Sequence, residues 1–363
     1  PPGQPRAGRR RRHRRPAPAA GPRPPGGRGG PAPPRPGSGL ARYLVTKLVA
    51  AAVSFLATLV IGFVLFSLMP ADPVQSITRG RPTSDAQMAQ LRHQLGLDQS
   101  VPERFLHFVT DTLTGHLGDS WEFQQPVSSL IGDRLWPTLL LMGTATVISV
   151  VLGLWLGVRS GWRHGSWLDR IATGASLTLW SVPTFWLGMI LLITFSVGIG
   201  PIPGFLPAGG MSDPAITGGL DHFLDVAEHL VLPCLTMVLV IFAQYVAVMR
   251  SSIIDELGSP YLLTARAKGL RDDVVRRRHA VPNALLPSVT MIFMHLGTVL
   301  GGAITVETVY SWPGLGQLSY QALKVPDLPL LQGTFIVFSA SVILMNLLAD
   351  VIYRFLDPRV RAQ

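Results

Sequence analysis

The residues of this chain best suited to chemistry lie at 261–287, where YLLTARAKGLRDDVVRRRHAVPNALLP separates two long apolar runs. Arg266, Lys268, Arg271, Arg276, Arg277 and Arg278 supply positive charge around the small residues Thr264, Ala265, Ala267 and Gly269. Small side chains let a partner approach a short helix closely, and Pro282 and Pro287 limit helix continuation beyond it. This is chemistry of contact rather than of bond-making. The bond-making motifs are absent from the 363 residues: there is no GxxxxGK(S/T) phosphate loop, no HExxH, no GxSxG elbow and no CxxC pair. We therefore expect no catalytic residues, and no nucleotide or metal held by this chain itself.

The elements that must position this segment are membrane spans. With 48% hydrophobic and 14% charged residues, the chain is too apolar for a soluble protein of this length. Runs of about 20 apolar residues cross a bilayer as helices, because lipid offers no hydrogen-bond partner to an open backbone. Six such runs are predicted, near 44–69, 138–158, 171–199, 231–249, 284–306 and 330–353. Pro183 should bend the third, which could split it into two short helices.

Charge orients the set, since Lys and Arg concentrate on the cytosolic side. Arg159, Arg163 and Arg170 flank the second connection, and the fourth holds seven cations, Arg250 among them. Segment 200–230 carries Asp213, Asp221, Asp225 and Glu228 with no Lys or Arg, and 70–137 has eight acids against five arginines. The expectation is an all-α polytopic membrane protein with six transmembrane helices and cytosolic N- and C-termini.

The formal net charge of +10 belongs to a tail. Residues 1–42 hold eleven arginines and no acid, leaving the remainder at −1. The tail is rich in Pro and Gly with few large apolar residues, so disorder is expected. Clustered Arg beside a span suits anionic lipid, and no aromatic residues interleave for base stacking, so no nucleic acid is expected. The apolar run that follows is too long for a signal peptide. Cys234, the lone cysteine, reads as a buried small apolar residue.

TARAKGL, followed ten residues after its glycine by His279 and then by Val281 and Pro282, resembles the EAA loop of ABC importer permeases. With RRHAVPNALLP it is most similar to the oligopeptide and dipeptide branch. The family's glutamate position is Leu263 here and its first alanine is Thr264, so that part of the match rests on Ala265 and Gly269. The phrases LGLDQSVPERFLHF and GHLGDSW resemble that branch's external loop, VETVYSWPGLG its approach to the last span, and ADVIYRFLDPRVR its C-terminal signature, with Asp357, Pro358 and Arg359 in place.

The resemblance implies the type I importer transmembrane fold in a bacterial plasma membrane. It divides the chain into a tail at 1–40, a first span with an external helical loop at 41–135, a five-helix domain at 136–357 with its coupling loop at 255–283, and a C-terminal end at 358–363. It implies that Thr264, Ala265, Arg266, Ala267, Lys268, Gly269, Arg278, His279 and Pro282 meet a cytosolic ATPase. The implied partners are two ATPase subunits carrying ATP and Mg, a second related permease subunit, an extracytoplasmic substrate-binding lipoprotein and membrane lipid. Peptides are the implied cargo; nickel chelates and other solutes of the same branch stay open, as does an ion-coupled secondary transporter, which would need paired ionisable groups near the midplane.

Pathway and gating candidates are Pro183, Gly297, Gly301 and Glu307. Gly153 with Gly157 and Gly297 with Gly301 have the GxxxG spacing, which suits either sliding helices or fixed packing. Glu307 could touch solute in the external mouth or be held by loop N–H groups. His295 could meet substrate or a neighbouring helix. Asp350 stands four residues before Arg354, a spacing that allows a local ion pair. In the external loop, Ser84 can cap a helix bearing Met88, Leu91 and Leu95 and stopped at Gly96, and a second amphipathic piece spans Phe105–Leu113.

Overall fold

A computed structural model of the chain describes residues 38–68, 84–94, 98–299 and 304–356. The chain divides into two units, Pro1–Tyr43 and Leu44–Gln363, and the helical body is the second. The tail before residue 38 lies outside the described residues, as do Gly96, Gly301, Asp357, Pro358 and Arg359.

The helices between the first two long apolar helices begin as their sequence dictates. After α1 (Ser38–Ser67), α2 (Asp85–Gln94) starts where Ser84 Oγ accepts from Gln87 N–H at 3.3 Å and Gln87 Oε1 accepts from Ser84 N–H at 3.1 Å. This reciprocal cap satisfies N–H groups that a helix start leaves open. In α3 (Val101–Thr114), Glu103 accepts from Ser100 N–H and Oγ–H, which holds its carboxyl below the usual range. Gly115, at φ +81°, ends that helix in a left-handed conformation. Phe63 of α1 rests on Phe105 and Phe108 of α3, with ring centroids 5.2 and 5.8 Å away.

The centre of the body is the pair α4 (Val127–Trp162) and α7 (Gly219–Leu257). Between lipid and lipid-like side chains there is little hydrophobic gain, so helices associate through close packing. Gly153, Gly157 and Gly161 provide it. A Cβ added at Gly153 would lie 2.5 Å from Tyr245 Cβ, one at Gly157 2.7 Å from Met249 Cβ, and one at Gly161 2.8 Å from the Arg250 carbonyl oxygen. The first two are the predicted GxxxG pair, and in this structure they are fixed packing against α7.

The third predicted span is broken. It forms α5 (Trp167–Ser181) and α6 (Thr184–Leu192), bent by 99°. Pro183 has no N–H to donate and disfavours helical geometry at the residue before it; Val182 is accordingly extended, at φ −81° and ψ 128°. A π-helical turn, Ile193–Val197, and a two-stranded hairpin, β1 (Gly198–Ile199) with β2 (Ile202–Pro203), follow.

Two short helices, α8 (Pro260–Ala267) and α9 (Asp272–Val275), lead through a π-helical turn at Arg276–Ala280 into α10 (Val281–Val299). The predicted run 284–306 is thus described as α10 and a separate α11 (Ile304–Val309), before α12 (Leu315–Lys324) and α13 (Leu328–Leu356). Among the described residues, four helices are long and apolar enough to cross a membrane, and the bent pair makes a fifth if counted as one span.

Polar contacts fix the periphery. Lys47 of α1 pairs with Asp350 of α13 at 2.7 Å; the expected pairing of Asp350 with Arg354 falls on a side chain outside the described residues. Ser120 Oγ–H and Glu122 N–H donate to the buried Asp327 at 2.5 and 3.0 Å, tying the loop after α3 to the start of α13.

Candidate functional site

The basic segment at 261–287 is a platform whose inner face is apolar and whose outer face is open. Pro260 stands in the first turn of α8, where its missing N–H costs nothing. Gly269 closes the helix at φ +77°, and Leu270 N–H then donates to the Ala265 carbonyl at 3.3 Å. Left-handed backbone of this kind strains any residue with a Cβ. The sequence therefore needs glycine here for the turn itself; a Cβ at this position would meet nothing within 4 Å.

Leu262, Ala265, Val275 and Ala280 turn inward and pack with Met249 and Ile253 of α7 and Ala284 of α10. Ala265 is only 6% exposed. Its methyl group docks the platform onto the spans, which differs from its sequence reading as part of the outer contact. The outer surface consists of Leu263, Thr264, Arg266, Ala267, Lys268, Gly269 and Leu270. Leu263 is 60% and Leu270 40% exposed, two apolar residues among cations; the sequence marked Leu263 only as a departure from the family's glutamate and did not mark Leu270. Their signal was the i, i+7 spacing beside buried Leu262, which alone does not tell which leucine faces out. Arg278 and Pro282 are exposed, and His279 is half-buried with its carbonyl accepting from Asn283 Nδ2–H at 3.0 Å.

Side chains also fasten the platform to its supports. Trp162, the last residue of α4, donates its indole N–H to Asp272 at 2.7 Å, and the Arg266 guanidinium lies 5.5 Å from the centre of the Trp162 ring. Tyr261 donates to Glu256 at the end of α7 and accepts from Asn283 at 3.0 Å. Burial, and then the bond to Glu256, push the Tyr261 phenol above its usual range.

The remaining candidates lie elsewhere. Pro183 marks the break in the third span, beside a groove of about 630 Å³ lined by Leu177, Val182, Phe185 and Trp186. Gly297 is buried, and a Cβ added there would come into ordinary contact with Val342 and Met345 of α13. Glu307 is 0% exposed. Its carboxylate accepts from Thr138 Oγ–H at 2.9 Å and from Gln317 N–H at 3.0 Å, at the start of α12. The glycines of WPGLG make that possible: a Cβ at Gly314 would run into the carboxylate, and one at Gly316 would lie 2.9 Å from it. Next to it Trp312 donates to the Pro137 carbonyl at 2.9 Å, and Tyr310 donates to that of Gly188 at 2.9 Å. Among the described residues no group of three or more His, Cys, Asp or Glu could hold a metal ion.

Comparison with known proteins accounts for this arrangement. Residues 149–362 match the family described as binding-protein-dependent transport system inner membrane component, and residues 40–142 match its N-terminal companion. The chain is 36% identical over 320 residues to a glutathione transport system permease protein of Pectobacterium atrosepticum, covering 88% of this chain and 98% of that one. A putative peptide permease protein of Brucella suis is 37% identical over 322 residues, covering 88% and 99%. The dipeptide transport system permease protein of Escherichia coli is 35% identical over 334 residues, covering 88% and 98%. The chain belongs to the binding-protein-dependent inner membrane components and is a multi-pass permease subunit of an ABC importer of the peptide family.

Proposed function

We propose that this chain forms half of a translocation pathway for peptides and is moved by ATP that other subunits hydrolyse. Support for the cargo comes from relatives whose names specify peptide, dipeptide and glutathione transport. Two cytosolic ATPases bind ATP and Mg, a second permease, related but different, completes the pathway, and an external binding protein delivers solute. Six spans with both termini in the cytosol would put the basic platform inside, in keeping with its six cations. No bond is made or broken by this chain.

The observation that carries the mechanism is the two-faced platform at α8 and α9. Its inner face, Leu262, Ala265, Val275 and Ala280, is set against α7 and α10, and its outer face presents Leu263, Lys268 and Leu270. A partner pressing on the outer face moves the ends of the spans with it. ATP binding draws the two ATPases together, the spans tilt from inward-open to outward-open, and hydrolysis resets them, a two-state equilibrium biased from both ends. Thr264, Arg266, Ala267, Lys268 and Gly269 make the contact; Arg278, His279 and Pro282 shape the exit into α10. Pro183, Gly297 and Glu307 belong to the moving pathway through the break, the α10–α13 contact and the external loop.

Leu263→Arg tests this directly, since the family's loop carries an acid at this position and a bulky cation opposes that contact. The side chain is exposed, so the variant should fold and reach the membrane as before while the ATPases fail to co-purify. Full ATPase recovery with Leu263→Arg, Lys268→Glu and Leu270→Asp combined would overturn the assignment.

A further inference from the structure

The connection between α4 and α5 carries a polar joint that the platform alone does not explain. Asp169, in the first turn of α5, has a side chain 3% exposed, and Arg250 of α7 grips it with both arms of its guanidinium: Nε at 2.5 Å and Nη2 at 3.0 Å. Gly165 N–H also donates to Asp169 at 2.9 Å, Ser166 Oγ caps the Asp169 N–H at 3.3 Å, and His164 Nδ1 stands 3.2 Å from both the carboxylate and Arg250. Burying such a pair gives little net stability, and its best-attested use is to fix one geometry. Seven residues after Arg250, α7 ends at Leu257, and α8 begins at Pro260. On the other side of the same connection, Trp162 is bonded to Asp272 in the platform.

We propose that Trp162 and the Arg250–Asp169 pair form a two-point joint that delivers movement of the platform to the broken span α5–α6. The inference rests on the reading of the platform as the ATPase contact and adds the route by which that contact reaches the spans. Trp162 and Asp169 bracket the turn at 163–166, so both ends of the turn are bound to elements leading into or out of the platform. The ridge of Gly153, Gly157 and Gly161 already packs α4 tightly on α7. Held in this way, the cytosolic ends of α4, α5 and α7 shift as one body. The first place where α5 is free to change direction is the break at Val182 and Pro183, where one helical hydrogen bond is already missing. Arg250 and Asp169 are positioning residues and touch no solute.

The test uses the complete transporter, with both permeases, both ATPases and the binding protein, reconstituted in nanodiscs. A fluorophore is placed at Ser181→Cys in a Cys234→Ala background, and the reported quantity is the change on trapping with ATP and vanadate. Arg250→Gln and Asp169→Asn should each reduce that change about tenfold, with ATP turnover and subunit composition kept, as coupling residues remote from ligands do. The double variant should be no worse than the worse single one, because the two act as a unit. Trp162→Phe, which removes only the indole N–H, should lower the change two- to threefold, roughly the loss of one hydrogen bond. A full response in Arg250→Gln, or additive losses in the double variant, would overturn the joint; a full response in Trp162→Phe would remove its second point. Loss of the ATPases from the Arg250→Gln complex would make the pair part of the docking surface instead, and would also sink it. If the unsubstituted chain binds no ATPase, the earlier reading fails and not the joint.

Discussion

Leu263 and Ala265 are two positions apart and do opposite work. Ala265 faces Met249 and Ile253, so a larger side chain there must push the platform off its supports: Ala265→Leu should cost about 1–3 kcal/mol, as overpacking does. Thermal inactivation of the purified subunit measures that, and Leu263→Arg should leave the same curve unchanged while removing the ATPases. Glu307 is the other decisive residue. Glu307→Ala strands the Thr138 hydroxyl and the Gln317 N–H away from water, at roughly 1–3 kcal/mol for each buried group left unpaired. Glu307→Gln, which keeps one acceptor oxygen, should fall between it and the unsubstituted chain in the same assay. Small residues and cations at 264–278 were legible from the sequence as a short polar helical segment between apolar runs. Which of them face inward was not, because an eight-residue helix gives too few turns for a periodicity to fix its face.

At the scale of elements, three glycines set the closest helix contact. Gly157→Val places a branched Cβ where only 2.7 Å separates it from Met249 Cβ, and the expected loss is about 1–3 kcal/mol with α4 displaced from α7. Hydrogen exchange across α7 should rise in that variant, whereas Gly143→Ala, at a position with nothing within 4 Å, should leave it unchanged. Gly153 and Gly157 were legible by their spacing, but Gly161 was not, since it lies beside Arg159 and Arg163 at what reads as the end of the span. The bend at Pro183 was likewise legible, and its 99° was not. Proline dictates that a hydrogen bond is lost; neighbouring elements dictate the angle that results.

The whole molecule follows from two solvents. Lipid dictates helices, and their apolar runs were readable one by one; α1 is exposed along Val45, Leu48, Val49, Val53 and Leu56, a surface fit for acyl chains. What joins the helices is less readable, because it depends on pairs distant in sequence, such as Lys47 with Asp350 or Ser120 with Asp327. Local spacing could not suggest Lys47 for Asp350, since the lysine stands 303 residues away. In an apolar setting such a pair is costly to break, so α1 is held to α13 near one face of the membrane. At the same scale, the absence of a phosphate loop from the sequence and the presence of a docked basic platform make one expectation: the power source is a separate protein.

Uptake of a labelled dipeptide mixture by the complete transporter in sealed proteoliposomes tests that claim most directly. The account predicts accumulation only when ATP is present on the platform side and binding protein on the other, and its loss in Leu263→Arg. Accumulation driven by a proton or sodium gradient in liposomes containing this chain without any ATPase would contradict it.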